Sequence, residues 1–138
     1  MAKTKAHTAY KLKNGKRVKG VTTILSNLGW NKNVLVAWAR RTALAGDDPD
    51  AVLKEAGAIG TLAHYLCECD IKGEEPELDD YSAEQIEKAE NAFLGYLEWK
   101  KMTKPKYEAI ELKMVSEKYK VGGTADFVAR INNSLVLG

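Results

Sequence analysis

The hydrophobic period of this chain switches once, at Lys104-Pro105, and that switch limits the fold more than any other feature. Before it, Ile86, Ala89, Phe93 and Leu97 recur at helical spacing, and Ser82 with Gln85 three residues on has the form of a reciprocal capping box. After it, Ile110, Leu112 and Met114 alternate with Glu111 and Lys113, the period of a half-buried strand. Helices gathered first and strands afterwards predict an α+β chain. With 138 residues, 45% of them hydrophobic and 29% charged, one compact domain is the expected size.

Other elements follow from local chemistry. Asn14-Gly15, flanked by alternating side chains, predicts a hairpin over residues 10 to 19. Thr22 or Thr23 caps a short helix running to about Leu28, and Gly29 with Asn31-Lys32-Asn33 breaks it. A second helix runs from Val34 to Ala45, with Leu35, Trp38, Thr42 and Ala45 on one stripe and Arg40 and Arg41 outside it. The Asp47-Asp48-Pro49-Asp50 cluster starts a third, which lasts to about Ile71. Gly122-Gly123 turns the chain into a second strand, 124 to 131, and Asn132-Asn133 forms a two-residue turn into a short third strand. The organisation expected is a basic arm and hairpin (1–20), a helical part (21–103) and the start of a sheet (106–138).

Charge excludes little. The formal net charge is +2, yet the basic residues of the first 19 positions face no acid among them. Lys16, Arg17 and Lys19, with Arg40 and Arg41, are the candidate phosphate contacts, a solvated terminus being the alternative for the first group. No apolar stretch is long enough to span a bilayer and no signal-peptide core is present, so the expected setting is cytoplasmic, without a membrane partner. Cys67 and Cys69, two apart in a helical pattern, suit reduced, semi-buried thiols.

Two constellations carry possible chemistry. Asp126 stands inside a strand, where acids are disfavoured, on the face of Thr124, Val128 and Arg130. It is either functional or a solvent-facing acid paired with a neighbouring cation. If Ile131 opposes Ser134, the partner of Asp126 is the position following Gly138, and the next same-face position lies two residues beyond. In the third helix, Gly57, Gly60, His64 and Glu68 gather opposite Ile59, Leu62 and Leu66. Glycines there suggest close approach to the backbone, and His64 with Glu68 is either a metal-facing pair or a surface hydrogen-bonded one.

In this order, Lys19-Gly20-Val21-Thr22-Thr23-Ile24-Leu25, Val36-Ala37-Trp38-Ala39, Ala56-Gly57-Ala58-Ile59-Gly60-Thr61-Leu62-Ala63-His64 and Val121-Gly122-Gly123-Thr124-Ala125-Asp126-Phe127 resemble the phage-type, RecB-like exonucleases of the PD-(D/E)XK superfamily. The resemblance spans almost the whole chain. It implies a restriction-endonuclease-like core, DNA as substrate, Mg²⁺ or Mn²⁺ as cofactor, and partners such as a recombination or single-strand-annealing protein in a bacterial host cytoplasm. It also implies that Asp126 ligates metal and that His64 lies near it; Glu111, facing away from the Ile110 side, either lines the same cleft or pairs with Lys113 or Arg130, and Glu68 is either a metal-proximal acid or a structural one. An iron–sulfur cluster, present in some relatives of this kind, is not expected from two cysteines.

The family's Asp/Glu-x-Lys on the following strand is not among the 138 residues, so the expectation is a C-terminally truncated domain, inactive alone and prone to self-association through an unfinished sheet edge. Two alternatives remain: a non-catalytic DNA-binding or assembly module using the basic residues, and a purely structural domain in which Trp38, Phe93, Tyr96 and Trp99 are core.

Overall fold

A computed structural model describes residues 9–29 and 32–138, so the basic residues Lys3 and Lys5, and Asn31 of the expected break, lie outside the described residues. The chain is mixed α+β with a mixed sheet. It divides into two compact units: the helical segment from Asn33 to Lys104, and the segments up to Lys32 and from Pro105 to Gly138.

The helical unit contains α2 (Lys32–Leu44), α3 (Pro49–Lys72) and α4 (Ala83–Thr103). Asp48 caps α3 by accepting from the Asp50 N–H, Pro49 occupies its first turn, and Gly73 at φ 71° closes it. Ser82 and Gln85 form the reciprocal capping box of α4, at 3.2 Å and 3.1 Å. These caps fix where α3 and α4 begin, and periodicity fixes what they bury. Leu62, Leu66 and Ala89 form the core, with Ile59, Ile86 and Phe93 packed against it. Tyr96 and Lys100 of α4 both donate to Asp70 of α3, at 2.9 Å and 2.6 Å. The stripe expected on α2 is not continuous. Trp38 and Thr42 are half-buried, but Leu35 is exposed, as are Val34 and Val36, so apolar residues surround the first turns rather than lining one side. Ala45 lies beyond the helix end.

The second unit holds one five-stranded sheet: β1 (Tyr10–Lys11), β2 (Arg17–Gly20), β3 (Lys106–Ser116), β4 (Val121–Ile131) and β5 (Ser134–Leu137), with α1 (Val21–Ser26) leaving β2 directly. The N-terminal ribbon is therefore not a separate arm. Its β2 runs parallel to the start of β4, Lys19 beside Val121 and Gly20 beside Gly122. Period-two patterns predict strands but not their partners. The ribbon turns through a three-residue loop in which Gly15 takes φ 82°, so Leu12 can be buried beneath it.

Three local expectations need correction. The cap of α1 is Gly20, with no side-chain hydrogen bond, and not Thr22 or Thr23, because the helix starts straight from the strand. Gly122 and Gly123 lie within β4; the turn preceding it is Glu117–Lys120, which Lys120 closes at φ 53°. The alternation of β3 also fails at its centre. A bulge between Tyr107 and Ala109 and a left-handed Glu111, φ 51°, break the period, leaving Leu112 and Met114 37% and 39% exposed.

The β4–β5 hairpin follows the sequence arithmetic. Asn132 and Asn133 take φ 49° and 63°, the left-handed pair of a tight turn, and Ile131 opposes Ser134. Cys67 is half-buried and Cys69 buried, both as free thiols.

Candidate functional site

The strand arrangement around Asp126 explains part of its surroundings by packing alone. Tyr10 lies across the backbone of Gly122: a Cβ there would stand 2.2 Å from its ring. Its hydroxyl hydrogen-bonds the Thr124 hydroxyl at 2.9 Å, and the Lys113 ammonium sits 5.5 Å above the ring centre. The Gly122-Gly123-Thr124 run thus has a structural reason, a seat for Tyr10. Sequence reading treated Tyr10 as an ordinary ribbon residue; the available signal was the glycine, which marks close approach without naming what approaches.

Asp126 itself is exposed at the middle of β4. Glu111 and Asp126 fall between the rungs Ile110 with Phe127 and Leu112 with Ala125, at the position where the left-handed Glu111 interrupts the pairing. Two acids so placed repel unless a cation or donor intervenes. Glu111 carries in addition the strain of its left-handed backbone. On the other edge of β4, β2 covers only Val121 and Gly122 while β5 covers Val128 to Ile131. In the interval between them, the Gly138 carbonyl accepts from the N–H groups of both Asp126, at 2.9 Å, and Phe127, at 3.3 Å. Two residues facing one is the signature of a bulge, which re-aims side chains. A cleft of about 370 Å³ opens beside this interval, lined by residues that include Tyr10, Met114, Thr124 and Leu137.

Glu111 and Asp126 supply the hard oxygen donors that suit Mg²⁺ or Mn²⁺, which commonly take one or two carboxylates and fill their remaining positions with water or phosphate oxygens. No cage of three or more His, Cys, Asp or Glu side chains occurs among the described residues. Arg130 donates to Glu108 at 2.6 Å.

The second constellation belongs to the helical unit. His64 is exposed on α3, and among the described residues nothing comes within 4 Å of where a Cβ of Gly57 or Gly60 would be, so none of them makes the close approach their placement suggested. Glu68 pairs with Lys72 one turn on, and this hydrogen bond holds the lysine above its ordinary range. The acid therefore has a structural occupation. Arg40 and Arg41 are exposed on α2, beside Val36 and Leu44; Lys16, Arg17 and Lys19 are exposed on the ribbon. Neither a family of known proteins, nor a curated protein, nor a solved structure matches this chain.

Proposed function

We propose that this chain carries part of the site of a metal-dependent DNA exonuclease of the PD-(D/E)XK type, with β3, β4 and β5 as the beginning of its restriction-endonuclease-like core. The supporting observation is the β3–β4 register, in which Glu111 and Asp126 fall together between the rungs Ile110 with Phe127 and Leu112 with Ala125. A divalent ion, when bound, would supply Lewis-acid stabilisation of the phosphate and a more acidic water. Asp126 and Glu111 are the residues that would hold it. Exposed Lys16, Arg17 and Lys19 contribute sequence-independent attraction to the DNA backbone.

Titration with Mn²⁺, followed by paramagnetic broadening of backbone amides, tests the proposal. Saturable broadening centred on Asp126 and Glu111 is expected, with affinity at least tenfold lower in Asp126→Asn, the scale on which disturbed metal sites lose affinity. Absence of saturable binding, or binding indifferent to Asp126→Asn, overturns it.

A further inference from the structure

The β3–β4 turn and the ribbon beside it form a basic surface with an aromatic at its centre, a combination that neither the metal-site reading nor Asp126 uses. Residues 9–29 contain no acid. Within the ribbon, Lys11 stands opposite Arg17, a cross-strand pair of like charges, with exposed Lys19 two positions further along β2. Such a pair mildly destabilises a hairpin by itself, and a bound anion would relieve it. The opposite face, with Tyr10 and Val18 half-buried and Leu12 buried, holds the ribbon in place.

The turn is fixed to this ribbon. Glu117 accepts from the Lys13 N–H at 2.6 Å, and the parallel pairing of Lys19 with Val121 sets Arg17 to Lys19 alongside the end of the turn. The turn is also internally ordered: the Tyr119 N–H donates to the Ser116 hydroxyl at 3.1 Å and the Lys120 N–H to the Ser116 carbonyl at 2.8 Å. This geometry leaves Tyr119 71% exposed, an unusual state for a large ring, with the Lys118 ammonium 5.1 Å from its centre. The one acid here, Glu117, is engaged by the Lys13 backbone.

We propose that this surface binds single-stranded nucleic acid, with Lys11, Arg17, Lys19, Lys118 and Lys120 meeting successive phosphates and Tyr119 stacking against a base. An electropositive track with a presented aromatic is how sequence-tolerant single-strand binding is built. An acidic peptide or an anionic membrane would use the charges but give Tyr119 no planar partner. The proposal shares with the proposed function its nucleic-acid substrate class and the cations Arg17 and Lys19, and its test runs in excess chelator, where metal-dependent cleavage is absent.

The probe is a fluorescein-labelled oligothymidylate of about a dozen nucleotides, comparable to the site sizes of single-strand binders, read by anisotropy. Binding is expected to weaken steeply as salt rises from about 50 to about 200 mM. Tyr119→Ala is expected to weaken it roughly tenfold while Tyr119→Phe retains it, the loss expected for one stacked base. Lys118→Glu with Lys120→Glu is expected to abolish it. Circular dichroism confirms that each variant folds, which surface positions permit. No binding, binding unchanged in Tyr119→Ala, or equal affinity for polyglutamate or anionic vesicles would each overturn the proposal. Tyr119-dependent binding without any Mn²⁺ site at Asp126 leaves this inference standing and removes the nuclease reading; a Mn²⁺ site with Tyr119-independent binding does the reverse.

Discussion

The α3–α4 pair and the sheet are stabilised by different kinds of agreement. In the helical pair, local signals and tertiary packing coincide: caps stand where the helices start, and the stripe of α4 is the face that meets Leu62 and Leu66. In the sheet they conflict. Among the described residues a bulge and a left-handed Glu111 interrupt β3, and Lys120 takes a positive φ at the β3–β4 turn. Conflict between local preference and global structure is a feature of sites rather than of scaffolds. The helical pair reads as scaffold, and the sheet is where function is to be sought.

Three substitutions break or sharpen that contrast. The largest effect belongs to the scaffold. Leu62 is fully buried, and Leu62→Ala should lose about 2–5 kcal/mol in urea denaturation, enough to unfold the helical pair under mild conditions. A loss below that range would show a core looser than the contrast requires. Next is the seat of Tyr10. Gly122→Ala should cost about 1–3 kcal/mol through overpacking, because the new methyl meets the ring rather than a flexible chain end. In a double-mutant cycle Tyr10→Ala should recover part of that cost, whereas simple additivity would mean that Gly122 serves something other than this ring.

The smallest effect has the opposite sign. A left-handed non-glycine residue stores about 1 kcal/mol, and glycine's larger unfolded-state entropy returns roughly half of it. Glu111→Gly should therefore stabilise the sheet by about 0.5 kcal/mol while weakening Mn²⁺ binding. Destabilisation instead would mark Glu111 as a structural residue whose backbone conformation its side chain supports.

The sequence announced the scaffold more fully than the site, for a physical reason. Caps, turn residues and periodicity act within a few positions, so the Ser82–Gln85 box, the Asp48 start and the Asn132-Asn133 turn were each readable, as was the pairing of Ile131 with Ser134. The parallel contact of β2 with β4, the ring of Tyr10 on Gly122 and the conformation of Glu111 depend on residues distant in sequence, and no local pattern encodes them. Asp126 was visible because an acid is out of place in a strand, but its alignment with Glu111 between two rungs required the register of β3. The glycines of α3 show the limit from the other side: Gly57 and Gly60 suggested a neighbour, and the described residues provide none.

The parallel contact between β2 and β4 also sets an order of events. Lys19 and Val121 are about a hundred positions apart, and closing so long a loop is slow relative to joining neighbours along the chain. During synthesis α3 and α4 are complete before β4 has been made, so the helical pair can assemble while the basic ribbon, though translated before it, waits for its partner. An element that emerges ahead of the helices is thus among the last to find its place.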